Sequence, residues 1–236
     1  MSDRASRPAA DPHALVVAID GPSGSGKSST SRGVAARLGL RYLDTGAMYR
    51  AMTWWMLRAG IDVHDAGAVA HRVDEARIES GTDPLGPTIT VDGVDVAEAI
   101  RGEDVTGSVS RVSAVPEVRA RLLQLQRDII ADGVRHGGIV VEGRDIGSVV
   151  VPDAPVKVYL TADANARALR RAAEEGGSDV TATEASLLAR DKIDSGRAVS
   201  PLVMAEGAVH IDTTPYSLVE VVDQVVALVE AVEAPA

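Results

Sequence analysis

Residues 21–28, Gly-Pro-Ser-Gly-Ser-Gly-Lys-Ser, satisfy the pattern G-x4-G-K-[ST] at every fixed position. The composition of the chain allows only about 0.003 matches to that pattern by chance. The flanks narrow the choice further. Residues 15–20 (LVVAID) form a nearly unbroken apolar, β-branched run, which reads as a strand buried on both faces of a parallel sheet. A helix is expected from the end of the motif to about Leu38. Strand, glycine turn and helix together make a phosphate cradle. The glycines permit the turn that aims consecutive N–H groups inward, and the helix N-terminus adds partial positive charge. Lys27 can bridge the β- and γ-phosphates and Ser28 can hold Mg²⁺. The expected contacts to ATP are Gly21, Ser23, Gly24, Ser25, Gly26, Lys27, Ser28 and Ser29, with Ser28 as the expected metal ligand.

The rest of the chain fits a doubly wound α/β fold. Further strands are expected at 40–43, 138–142 (GIVVE), 156–161 (VKVYLT) and 209–212 (VHID), giving a five-stranded parallel sheet flanked by helices. Helical spacing over 45–59 puts Met48, Met52, Trp55 and Met56 on one side, read as core. Pro116 opens a long helix to about residue 134. Residues 163–174 and 184–194 are helical, and Ser217 with Glu220 forms a capping box that opens a C-terminal helix. From 60 to 115 the texture changes: TITVDGVDV at 88–96 is a hairpin around Asp92-Gly93, which suggests an inserted subdomain. The expected organisation is therefore a polar, disordered tail at 1–14, a core of 15–59 and 116–236, an insert at 60–115, and a short lid at 172–186. Residues 79–87 are expected to be a surface loop and 175–178 a flexible break.

At 236 residues the chain can bury a full core without staples, and it contains no Cys, so disulfides, thiolate metal sites and a cysteine nucleophile are excluded. The formal charge of −10 makes it a poor binder of duplex nucleic acid or anionic membrane. No apolar run approaches the ~20 residues of a spanning helix, and with the missing Cys this predicts a cytoplasmic protein. The five His show no metal spacing.

A phosphate loop does not say what is done with the nucleotide. A GTPase needs Asn-Lys-x-Asp after a strand, and the nearest match, Asp191-Lys192-Ile193-Asp194, lacks the Asn. A small-molecule kinase must clamp a second phosphate between two like-charged substrates. That calls for guanidinium groups, which stay charged and bind in a fork. Arg50 follows Asp44-Thr45-Gly46, Arg144 follows the strand at 138–142, and Arg190 and Arg197 flank Asp194. Strand carboxyl ends are where ligands bind in such sheets. Arg167, Arg170 and Arg171 are read either as lid residues reaching ATP or as a solvated helix face. Kinases for another acceptor, such as UMP or shikimate, and a module that senses ATP without turnover are alternatives on these residues alone.

At this point the chain resembles bacterial cytidylate kinases, a family of nucleoside monophosphate kinases. The resemblance runs from about residue 15 to 229, and the insert at 60–115 is similar to that family's enlarged monophosphate-binding domain. It is carried by IDGPSGSGKSS, by LDTGAMYRA at 43–51, by VSRVSAVPEVR at 109–119, by EGRDIGSVVVPDAPVKVYL at 142–160 and by RDKIDSGRAVSPL at 190–202. The resemblance implies ATP- and Mg²⁺-dependent phosphorylation of CMP or dCMP by a monomer. It implies that Ser110, Arg119 and Asp145 bind cytosine and that Arg190 and Asp194 lie at the sugar. Arg50, Arg144 and Arg197 would grip the acceptor phosphate, with Thr45 beside the nucleotide. Lys27, Arg50, Arg144 and Arg197 are then the catalytic set. Glu142 stands where the family often has Asp, with a link to Mg²⁺ through water.

Overall fold

Every site residue can be located from the strand that precedes the phosphate loop, β1 (Val16–Asp20), which is buried along its whole length. In the computed structural model, which describes residues 15–174, 177, 179–196 and 201–233, β1 is central and parallel to both neighbours. The main sheet has the order β2-β6-β1-β7-β8, with β2 at Arg41–Asp44, β6 at Ile139–Gly143, β7 at Val156–Thr161 and β8 at Val209–Asp212. Asp20 pairs in register with Gly143 and with Tyr159, and Asp44 with Glu142. The carboxyl ends of three strands therefore meet at one edge of the sheet. The expected five parallel strands are all present.

Alternation along the strands sorts side chains to the two faces. Leu15, Val17, Ile19 and Val140 face α1 (Lys27–Leu38) and the C-terminal helix α8 (Leu218–Glu233). The Ser217–Glu220 capping box is formed, with Ser217 N–H donating to the Glu220 carboxylate at 2.8 Å. Val16, Ala18, Ile139 and Val141 face α2 (Thr45–Arg58) and α5 (Pro116–Arg135). On α2, Met48, Met52 and Met56 have no exposed surface. Trp55 packs against the same cluster but is only half-buried, and its indole N–H reaches the Asp92 carboxylate of the insert hairpin at 3.0 Å.

Residues 60–115 carry α3 (Ala66–His71), a three-stranded antiparallel sheet and α4 (Glu103–Val112). The sheet contains β3 (Ile78–Ser80), β4 (Ile89–Val91) and β5 (Val94–Asp95). The β4–β5 turn uses Asp92 and Gly93, both at positive φ (52° and 79°), as a two-residue turn with matching twist requires. Strand β3 corrects the loop expected at 79–87: Glu79 and Ser80 pair with Thr90 and Ile89. Three residues are too few to show alternation, so the pairing with β4 decides the conformation. The apolar side of this sheet (Ile78, Ile89, Val91) joins the same cluster as the α2 face of the main sheet. The region is thus built onto the core rather than around a core of its own.

Helix α6 (Ala164–Glu174) is followed by α7 (Val180–Ser195), which starts four residues earlier than expected. The Asp179 side chain caps it, accepting from Thr181 and Ala182 N–H groups. The expected lid, 172–186, covers the end of α6 and the start of α7. The tail at 1–14, most of the break at 175–178, and Arg197 fall outside the described residues. No helix among the described residues is long and apolar enough to cross a membrane.

Candidate active site

The strand ends open into one cavity of about 1000 Å³. Its floor is the phosphate loop. Gly21 has φ 149°, and a Cβ there would stand 2.1 Å from the Leu160 carbonyl oxygen, so the loop can turn this close to β7 only with glycine. Gly26 (φ 87°) occupies the N-cap of α1 and supplies no side-chain cap, and the first turn holds no acidic residue. The helix therefore presents its open N–H groups and partial positive charge to the cavity. Lys27 Nζ donates to the Pro22 carbonyl at 2.7 Å, which folds the side chain over the loop. Burial pushes its ammonium well below the ordinary range, Arg144 adds to that, and Glu142 opposes it.

Glu142, at the end of β6, is buried and accepts from Ser28 Oγ at 3.0 Å and from the Tyr42 hydroxyl. Burial raises its pKa, with Asp44 adding to the effect and Lys27 opposing it. A buried carboxylate beside a hydroxyl, both oxygen donors, suits a hard divalent cation that keeps waters and takes its remaining ligands from phosphates. The residues present therefore fit Mg²⁺. Thr45 Oγ1 donates to the Glu142 carbonyl at 2.7 Å and ties the start of α2 to β6.

Arg144 occupies the junction of two halves. Its Nη1 donates to Gly21 O at 2.7 Å, its Nη2 to Ser23 Oγ at 2.5 Å and its Nε to Asp194 Oδ2 at 3.0 Å. One guanidinium thus spans the phosphate loop and α7. Behind it, Arg119 forms a buried ion pair with Asp145 and donates to Ser113 O at 3.2 Å, and its guanidinium stacks 5.4 Å from the Tyr49 ring centre. Arg50 donates to Ile100 O and Thr106 Oγ1, each at 3.0 Å. Burial, followed by the charges of Arg190 and Arg171, brings Arg50 down to about 9. Arg190 is lowered by burial and then by Arg144, and its buried Nε meets no partner among the described residues.

Of the residues anticipated from sequence, Ser23, Gly24, Ser25, Gly26, Lys27, Ser28, Ser29, Thr45, Arg50, Ser110, Arg119, Arg144, Asp145, Arg190 and Asp194 all line this cavity. Gly21 lies under it, contacting Arg144 through its carbonyl. The solvated-face alternative for α6 fails at two positions. Arg167 is buried, pairs with Asp191 and donates to Ser23 O at 3.1 Å. Arg170 donates to Thr213 Oγ1 and O at 2.9 and 2.8 Å. Four residues that bind the site together were missed: Asp20, Tyr42, Asp191 and Thr213. Asp191 lies inside the quoted RDKIDSGR motif and was legible there. Thr213 sits in a loop with no motif.

Burial and the neighbouring guanidiniums oppose the positive charge on Arg50 and Arg190. Arg190→Met is expected to raise the nucleotide-free thermal midpoint, by about 1 kcal/mol of stability, while weakening CMP binding at least tenfold. Thermal melts and calorimetric CMP titration check this; a lowered midpoint with unchanged affinity contradicts it.

Comparison with known proteins places this geometry. The profile of the family described as cytidylate kinase matches residues 17–231. A cytidylate kinase from Streptomyces coelicolor is 61% identical over 217 residues, covering 92% of this chain and 93% of the relative. One from Streptomyces avermitilis is 57% identical over 217 residues, with the same coverages. A solved structure of an uncharacterised Eubacterium ventriosum protein aligns with TM-score 0.51 at 13% identity, over 92% of this chain and 99% of that one, which speaks for the fold alone. With a phosphate loop, several arginines lining the same cavity and near-complete coverage by one family model all agreeing, the chain belongs to the cytidylate kinase family.

Proposed function

We propose that the residues around this cavity divide between them the work of the family's reaction, ATP-dependent phosphorylation of CMP or dCMP. The observation that carries the reading is Arg144, hydrogen-bonded at once to the phosphate loop and to Asp194. A group there can touch both phosphates as they approach.

The loop from Gly21 to Ser29 binds the triphosphate, with Lys27 on its outer phosphates. Ser28, with Glu142 through water, would hold Mg²⁺, which would supply positive charge against the negative charge of the triphosphate. Arg50, Arg144 and Arg197 grip the acceptor phosphate, and Arg190 and Asp194 take the sugar. The attacking atom is an already anionic phosphate oxygen, so no strong general base is needed. Catalysis is positioning plus cationic stabilisation of the transferring group. The end of α6 and start of α7, residues 172–186, serve as a lid; closure excludes water, which would otherwise hydrolyse ATP. The molecule acts as a cytoplasmic monomer, and its net charge of −10 argues against nucleic acid or membrane as a partner.

Cytosine is read by Ser110, Arg119 and Asp145. The Arg119–Asp145 ion pair holds a donor and an acceptor side by side before the base arrives. Cytosine N4–H can donate to the carboxylate while N3 and O2 accept from Arg119 or Ser110. Uracil would turn its O4 lone pairs on Asp145. Initial rates with CMP, dCMP, UMP and AMP, followed by ADP formation, test the reading, and equal rates on CMP and UMP would sink it. Asp145→Ala is expected to reduce the preference for CMP over UMP by about 10- to 100-fold; an unchanged ratio removes Asp145 from base recognition.

A further inference from the structure

Asp20 ends β1, directly before the phosphate loop, and is 3% exposed. Both of its carboxylate oxygens accept backbone N–H groups from beyond β6. Oδ1 accepts the Ile146 N–H at 2.9 Å and Oδ2 the Gly147 N–H at 2.8 Å. Those amides start the wide turn that follows Arg144 and Asp145, closed by Val150 N–H to Asp145 O and Val151 N–H to Ile146 O. The first N–H groups of such a turn have no partner within it. Among the described residues, Asp20 is what satisfies them. The next carbonyl, that of Gly21, accepts from Arg144 at 2.7 Å. Asp20 and Gly21, at the end of the strand and the start of the loop, therefore hold three residues, Arg144, Ile146 and Gly147, of the segment that faces the acceptor.

We propose that Asp20 is a positioning residue that sets the acceptor-recognition turn in register with the ATP loop. The inference rests on the assignment of Asp145 to the base. Its direction follows from what else holds each side. The loop strand is clamped by parallel neighbours on both edges, and the loop is further closed by Lys27 Nζ and Ser25 N–H on Pro22 O. The turn at 146–150 is irregular and depends on Asp20 for its first two amides. Loss of the carboxylate thus disturbs CMP recognition before it disturbs ATP binding. An amide in its place offers one acceptor and aims N–H against N–H at the other position.

Asp20→Asn and Asp20→Ala are compared with the parent chain for the KM of each substrate, kcat, and the CMP-to-UMP ratio. The expected result is a rise of about tenfold in KM for CMP and a falling CMP-to-UMP ratio, with KM for ATP held within about twofold. Equal movement of both KM values, or of neither, overturns the proposal. So does weakened ATP binding with CMP untouched, which would assign Asp20 to Lys27 instead. Asp145→Ala, run in parallel, separates the two claims. If its ratio is unchanged the base reading fails; if its ratio collapses while that of Asp20→Asn holds, the brace fails. Amide hydrogen exchange on the unaltered chain requires no variant to fold. Ile146 and Gly147 amides are expected to be protected as strongly as those of β1, and exchange at the rate of an exposed loop overturns the brace.

Discussion

Lys27→Ala is expected to lower kcat about 10³-fold, ~4 kcal/mol of transition-state stabilisation. The ammonium lies over the floor of the cavity, with no long stem free in solvent: the residue is 8% exposed and its Nζ is fixed on Pro22 O. Glu142 and Asp20 offset only part of its cost of burial in the resting protein, and the hydrogen bond to Pro22 O is what holds it in place before the phosphates arrive. Removing it also takes away the cation that opposes the rise in the Glu142 pKa, and leaves that carboxyl more prone to protonation where Mg²⁺ would need an anion. The measurement is ADP formation with CMP present, alongside a thermal melt to show the variant folded. Turnover above a tenth of the parent rate would remove Lys27 from the chemistry. ADP formation by the parent chain would also exclude a module that senses ATP without turnover.

The site was legible to different depths for reasons that differ residue by residue. The phosphate loop could be read because its chemistry needs particular residue types at fixed spacing: glycine where a Cβ would meet the Leu160 carbonyl, Lys at the helix start, a hydroxyl after it. Strands β1 and β6 could be read because burial on both faces demands an unbroken apolar run. The carboxylates were harder. Asp145 and Asp194 entered through a family resemblance, and only the structure shows that their present partners are Arg119 and Arg144. Asp20 was visible as a charge ending an apolar strand, yet its partners are backbone amides 126 and 127 residues away, which no local pattern encodes. Strand β3 was missed for the same reason, since its conformation comes from Val91, Thr90 and Ile89 opposite. Local chemistry is written in local sequence. Braces across the sheet are written in topology.

Arg144→Ala is expected to cost ~2–4 kcal/mol in kcat/KM, roughly 30- to 1000-fold, falling mainly on kcat. Three hydrogen bonds converge on this guanidinium from Gly21, Ser23 and Asp194, so its plane is fixed in the resting protein. Fixed charge aimed at a developing charge needs no reorganisation during transfer, and that makes it worth more there than in water. The same truncation removes an ion-pair partner from buried Asp194, so part of the loss should appear as weaker CMP binding. Arg144→Lys divides the effects. It keeps the charge and loses the fork, so it cannot serve all three acceptors, and recovery of no more than about tenfold is expected. Full recovery by lysine would show that charge alone suffices and that the fork is dispensable. A kcat within threefold of the parent for Arg144→Ala would mean that the phosphoryl group passes without help from this arginine, and the bridging geometry would then be a feature of packing.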